Sequence, residues 1–409
     1  MSNWKTQVKE NDAFCIMPFN HMHVGTDGHA KLCCVADWKT PLSDDITSVS
    51  MRDLWKSESY QQIRKDMLAG KKVEQCKACY HIEEHGGGSD RTAHNRWFNP
   101  PEDWDIDVEN GNNYGTPTWV DWRPGRFCNF GCRMCFVGVS STIADEHRDN
   151  PYLSEVTGES WFDVTDWIED DKTFNDIIEW VPHLKILKIA GGEPFFMPGV
   201  IKLLRWCVEN NQTHLHLDIT TNGSRMQGKV LKWLKSFRDV DIQFSIDGVG
   251  YTNDYIRYGA EWDKIDAAYQ QYLDMGIRTH LLATVQAYNA YDIPNIVQYW
   301  KDNGSHNNLI FNFVDSPSDM TIDILPYADR ISIMEELMAV SADIEHDKRE
   351  TFRINAVIQR LGQHEGNDNF TKRKKFAKRT EAYDVLRKQS ITLVHTRLKE
   401  LVDEWKKMN

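Results

Sequence analysis

Cys128-Asn129-Phe130-Gly131-Cys132-Arg133-Met134-Cys135-Phe136 follows directly on a short β-like run, Trp119 to Arg123. Three thiolates in a C-x3-C-x2-C loop can grip three irons of a cubane cluster and leave the fourth iron without a protein ligand. A zinc ribbon wants four ligands in paired C-x2-C clusters, and no fourth Cys or His follows until His147. The nine cysteines are an odd number, and no secretory leader is evident at the N-terminus, which suits a reducing cytoplasm better than a disulfide scaffold.

Outward from this loop, strands alternate with helical segments, the pattern of a parallel sheet with helices outside. Six strands are expected: Thr118 to Arg123, Leu184 to Ala190, His214 to Thr220, Val240 to Ile246, Thr279 to Gln286 and Leu309 to Val314. Val200 to Val208 and Tyr291 to Lys301 carry helical apolar spacing. Six units make an incomplete barrel rather than a closed eight-stranded one.

The strands alternate strictly. Asp241, Gln243, Ser245 and Asp247 oppose Val240, Ile242, Phe244 and Ile246, while His214, His216, Asp218 and Thr220 oppose Leu215, Leu217 and Ile219. With helices over the apolar face, the polar set lines a lumen fit for a hydrophilic ligand. His216, Asp218, Gln243, Gln286 and Asn312 are the expected lumen residues, and Asp218, His216 and Asp315 the acid/base candidates.

Three further segments follow the cysteine loop in order. Ala190-Gly191-Gly192-Glu193-Pro194 ends the second strand, Thr221-Asn222-Gly223 the third, and Ser245-Ile246-Asp247-Gly248, with Asp254-x2-Arg257 beyond it, the fourth. Together with the triplet they resemble the radical S-adenosylmethionine (radical SAM) superfamily. The resemblance implies an α/β fold, a partial (β/α)6 barrel, with Cys128, Cys132 and Cys135 on a 4Fe-4S cluster whose open iron takes S-adenosylmethionine. Gly191, Gly192, Glu193, Pro194, Asn222, Ser245, Asp247, Arg257 and Gln286 are then the cofactor-binding positions. Met134 departs from the aromatic usual before the last cysteine, where the family's adenine contact runs mostly through backbone.

A second cysteine set lies upstream: Cys15, Cys33, Cys34, Cys76 and Cys79. Val24 to Val35 reads as a hairpin turning at Asp27-Gly28, which carries Cys33 back toward Cys15. Met51 to Ala69 reads as one helix, with apolar Met51, Leu54, Trp55, Ile63, Met67 and Leu68, Ser50 as N-cap and Gly70 past its end. That helix returns Cys76-x2-Cys79 to the same place, and four-thiolate zinc is the alternative reading on these residues. The spacing C-x17-C-x42-C-x2-C, with Gly28 before the second cysteine, resembles the twitch domain, a short form of the SPASM domain. So does the run Cys76-x2-Cys79-x3-Glu83 with Gly87, Ser89 and Arg91. The resemblance implies an auxiliary 4Fe-4S cluster on Cys15, Cys33, Cys76 and Cys79, Cys34 being the alternative to Cys33. Better-known members carry this domain after the barrel, so substrate identity does not transfer.

The expected organisation is a twitch-like domain over 1–98, a linker over 99–116, the barrel over 117–330 and a helical extension over 331–409 whose helices buttress the barrel. The net charge of -13 disfavours nucleic acid as partner, and no apolar run is long enough for a membrane span. The basic run Lys372 to Lys375 reads as a wet helix face. Expected partners are a small-molecule or peptide substrate and an electron donor such as flavodoxin or ferredoxin. The expected activity is hydrogen abstraction by a 5'-deoxyadenosyl radical, then oxidation or cross-linking with the auxiliary cluster as electron acceptor. Peptide modification beside a purely structural cluster, and a non-catalytic iron-sulfur or zinc module, are the alternatives.

Overall fold

The computed structural model describes residues 11–37, 39, 42, 45–97, 106–107, 111–113, 115–162, 167, 170–225, 228–344, 349–363 and 369–408. The expected linker, 99–116, lies largely outside them. The described strands, in chain order, are β1 (His21–Val24), β2 (Ala30–Lys31), β3 (Ile106–Asp107), β4 (Asn112–Asn113), β5 (Trp119–Trp122), β6 (Gly131–Cys132), β7 (Ile186–Ile189), β8 (His216–Thr221), β9 (Asp239–Ser245), β10 (Arg257–Tyr258), β11 (Arg278–Val285) and β12 (Leu309–Phe313). The main sheet has eight strands in the order β12-β11-β9-β8-β7-β5-β1-β2. All six expected barrel strands are among them, and the fold is α/β with helices between consecutive strands.

Each strand's alternation decides its faces. Leu215, Leu217 and Ile219 are fully buried while His216 and Asp218 are half-buried. Ile242, Phe244 and Ile246 are likewise buried beside half-buried Asp241 and Gln243. Apolar side chains on one face meet the covering helices, and the period of two leaves the polar set on the other.

The N-terminal segment joins the barrel's sheet, which its sequence did not suggest. β1 pairs in parallel with β5, the first barrel strand, in the register His21↔Trp119 to Val24↔Trp122. β2 returns antiparallel against β1, so the expected hairpin forms, with Gly28 N–H donating to Gly25 O (3.0 Å) in its turn. The single helix expected over 51–69 is two, Met51–Trp55 and Glu58–Leu68. Ser57 is extended (ψ 157°) and its hydroxyl accepts the Tyr60 N–H, so it caps a new helix rather than continuing the old one. Ser50 caps the first as expected, accepting from Asp53 N–H.

The chain gathers into two compact units, one of residues 1–126, 164–219 and 228–240, the other of 127–163, 220–227 and 241–409. This grouping by contact cuts across the segments expected along the chain. The first unit holds the hairpin, β5, β7 and most of β8. The second holds the cysteine loop, most of β9, β11, β12 and the C-terminal helices Tyr327–Ser341, Arg349–Leu361, Asn369–Arg387 and Thr396–Lys406.

Candidate functional site

In the second unit, the cysteine loop is clamped by backbone before any side chain is considered. β6 pairs antiparallel with β10, Cys132 opposite Arg257, and Arg133 N–H donates to Ile256 O at 2.8 Å. Ser141 accepts the Cys128 N–H (3.0 Å) and Thr142 donates to Cys128 O (2.7 Å). The three thiols converge: Cys135 hydrogen-bonds Cys132 and feels the charge of Cys128. Their shared proton holds the Cys132 thiol below its ordinary range, through the Cys135 hydrogen bond first and the Arg257 charge against the opposing effect of burial.

Arg257 donates toward Cys132 Sγ (3.9 Å) and pairs with Asp247 at 2.8 Å, both side chains buried. Asp247 also accepts the Thr284 N–H at 2.7 Å. Asn222, at the end of β8, donates to Asn129 Oδ1 (3.0 Å), inside the cysteine triplet itself. Gly223 beside it has φ +74, and a Cβ there would stand 2.1 Å from the Phe244 ring, so only glycine fits. Ser245 and Gln286 are buried. Gln286 Nε2 donates to Thr284 O at 3.3 Å, while its Oε1 has no partner among the described residues. A buried, unmet acceptor of this kind fits a ligand contact.

Sequence reasoning missed what the C-terminal helix Asn369–Arg387 does. Arg133, from the middle of the triplet, is fully buried, pairs with Asp384 at 2.6 Å and lies 3.7 Å over the Tyr255 ring. Arg387 pairs with Glu146 at 2.7 Å, and its guanidinium would meet a Cβ on Gly131 at 3.0 Å. The extension therefore grips the cysteine loop rather than merely buttressing the barrel. Long sequence separation hid this, since no local pattern links Arg133 to Asp384.

In the first unit, Gly191 has φ +117 and a Cβ there would lie 2.7 Å from Gly125 O, while Gly192 N–H donates to that same oxygen at 3.2 Å. Glu193 is fully buried and accepts the Phe195 N–H at 3.1 Å, capping the turn that Pro194 starts. These contacts fix a rigid lip at the end of β7.

The polar face of the same unit carries a row set by register: His23↔Asp121, Asp121↔Lys188 and Lys188↔Asp218. His23 Nδ1 lies 3.1 Å from Asp121, Arg123 meets the same carboxylate at 3.2 Å, and Lys188 lies 3.4 Å from Asp218. Burial pushes the His23 pKa down despite its Asp121 partner, and the contacts with His23 and Arg123 hold Asp121 well below the usual carboxylate range against its own burial. Asp218 and His216 thus sit on a half-buried polar face as expected. Asp315 has 77% of its side chain exposed and lies 3.8 Å from Arg360. Asn312 is exposed as well.

Cys15, Cys33, Cys76 and Cys79 line one pocket, together with Met17, Asp90, Arg91 and His94. Cys33 faces this pocket and Cys34 does not; Cys34 is exposed and feels Asp121, Arg123 and Lys188 instead. Burial pushes all four pocket thiols up, Cys76 to about 12. A group that binds thiolates would displace their protons and satisfy the charge burial forbids. Among the described residues no three His, Cys, Asp or Glu side chains close around a single ion. A tetrahedral zinc site draws four sulfurs to about 2.3 Å from one point.

Residues 122–299 match the Radical SAM superfamily, and residues 15–80 match the SPASM iron-sulfur cluster-binding domain. Residues 122–299 are thus a radical SAM domain. No curated protein matches its sequence significantly. Among solved structures, the chain is similar to anSMEcpe with bound AdoMet, at 16% identity and TM-score 0.39, covering 55% of this chain and 60% of that one. It is also similar to Streptococcus suis SuiB bound to precursor peptide SuiA, at 15% identity and TM-score 0.38, covering 66% and 59% respectively. TYW1 with a lysine-pyruvate adduct gives 15% identity and TM-score 0.31, covering 54% and 72%. The chain thus spans about three fifths of the first of these, and likeness at this level says nothing of substrate. No described helix is long and apolar enough to cross a membrane.

Proposed function

We propose that this chain is a radical SAM enzyme that oxidises or cross-links its substrate, with Cys128, Cys132 and Cys135 holding the 4Fe-4S cluster that binds S-adenosylmethionine and Cys15, Cys33, Cys76 and Cys79 holding an auxiliary 4Fe-4S cluster. The observation that carries the reading is the pair of thiol sets, three converging on a clamped loop and four around one pocket. When bound, these groups supply one-electron cleavage of S-adenosylmethionine to a 5'-deoxyadenosyl radical and an acceptor for the electron left on the substrate.

The chain's own residues position and exclude water. Gly191, Gly192, Glu193 and Pro194 form the rigid lip offered to the methionine amino group. Asn222, Ser245, Asp247, Arg257 and Gln286 supply polar contacts for the rest of the cofactor, with the buried Gln286 Oε1 as one ready acceptor. Asp218, held by Lys188, and His216 take the proton released when the substrate is oxidised. If all four pocket thiols held the auxiliary cluster, it would offer no open iron, and electron transfer would fit it better than Lewis-acid activation. The substrate is a small polar molecule or a peptide, and a flavodoxin- or ferredoxin-like protein supplies the electron.

Alanine at Cys128, Cys132 and Cys135 should abolish reductant-dependent formation of 5'-deoxyadenosine; retained formation overturns the assignment. Disabling the auxiliary site in a folded protein should leave hydrogen abstraction intact and block the oxidised product. Unchanged product would instead favour a structural auxiliary cluster.

A further inference from the structure

Among the described residues that line the auxiliary pocket, Arg91 is the one permanent cation, and it is held by Glu83 and by the Phe14 carbonyl. Arg91 is 7% exposed, lines the pocket and donates through its NH1 group to Phe14 O at 2.6 Å, one residue before Cys15. Its backbone N–H donates to Cys79 Sγ. Glu83, one helical turn after Cys79, holds the guanidinium through Nε (3.0 Å) and the other terminal nitrogen, and Ser89 donates to the same carboxylate. The Arg91 charge acts on Cys15 and Cys76, while the carboxylates of Asp90 and Glu83 act on Cys79. The cation thus lines the pocket, and Glu83, which pairs with it, is not part of the lining. Charge and hydrogen bonds at the sulfurs are the means by which a protein sets a cluster's reduction potential.

We propose that Arg91 is a positioning residue that raises the reduction potential of the auxiliary cluster, with Glu83 fixing the guanidinium and limiting the rise. This rests on the auxiliary-cluster reading above and gives it direction. A cluster meant to accept an electron needs its reduced, more negative state stabilised, and a buried guanidinium stabilises that state most. A merely structural arginine, tying the Phe14 carbonyl to the Cys79 helix, would govern whether the cluster assembles and not its potential.

The test uses the full chain reconstituted anaerobically, with iron and sulfide content measured and the auxiliary signal followed by electron paramagnetic resonance through a redox titration. S-adenosylmethionine perturbs only the other cluster, so the two signals are told apart. Arg91→Gln should lower the auxiliary midpoint at unchanged iron content, Arg91→Lys should stay near the unmodified value, and Glu83→Gln should raise it. An unchanged midpoint in Arg91→Gln, or shifts of the same sign in Arg91→Gln and Glu83→Gln, overturns the proposal. If Arg91→Gln fails to assemble its cluster, the Glu83→Gln titration decides: a rise supports the proposal, and no change or a fall overturns it. Zinc in place of iron at this site in the unmodified protein would overturn the cluster reading itself, before any variant is made.

Discussion

Removing the charge of Asp384 tests whether the C-terminal helix holds the cysteine loop. Arg133 has no exposed side-chain area, Asp384 has 16%, and the two meet at 2.6 Å. Arg133 also donates to Tyr255 O (3.0 Å) and to Gln389 (3.0 Å). Asp384 in turn accepts the Tyr255 hydroxyl (2.7 Å) and the Ile391 N–H (3.0 Å). Asp384→Asn keeps the volume and strands a buried guanidinium beside a neutral amide. Breaking a buried pair in this way costs about 3–5 kcal/mol, and the partial exposure of Asp384 sets the lower end, about 3 kcal/mol. In a unit of roughly 200 residues that is a fall in Tm of about 6–12 °C. Differential scanning calorimetry of the reconstituted protein reads it. Arg133→Met with Asp384→Leu removes both charges and should cost less than the sum of the two single changes. A Tm within about 2 °C of the unmodified protein for Asp384→Asn, or strict additivity in the double variant, would refute the argument.

Three further outcomes follow from particular residues. Gly191→Ala places a Cβ 2.7 Å from Gly125 O at φ +117 and should weaken S-adenosylmethionine binding by about 5- to 160-fold, for about 1–3 kcal/mol of strain, measured by equilibrium dialysis; unchanged affinity would dismiss the lip. Cys33→Ser should lose the iron of the auxiliary site while Cys34→Ser keeps it, since only Cys33 lines the pocket; iron analysis showing the reverse exchanges the two ligands. His21 is fully buried, and burial lowers its pKa from 6.5 to about 3, so the folded state keeps it neutral where the unfolded state binds a proton. Stability should therefore be level above pH 6.5 and decline below it toward pH 3, by up to about 1.4 kcal/mol per pH unit. His21→Asn should flatten that decline between pH 6.5 and 5 in thermal-unfolding scans, and an equal slope in both proteins would remove His21 as its source.

The cysteine spacing, the glycine lip and the strict alternation of β8 and β9 are local properties, written within a few residues of one another, so the sequence alone determined the six barrel strands, their polar face and the two thiol sets. Helix ends were legible only where a cap had no rival: Ser50 was found, but Ser57, an equally good cap seven residues on, divided one expected helix into two. What only the tertiary structure decided depends on residues far apart in the chain. The pairing of β1 with β5, which puts His23 against Asp121, comes from backbone hydrogen bonds that any two strands can make, so no side-chain pattern announces it. Which of Cys33 and Cys34 lines the pocket turned on the direction of two adjacent side chains. The grip of Asp384 and Arg387 on the cysteine loop joins positions some 250 residues apart. Burial makes those charges matter, and burial belongs to the folded chain alone.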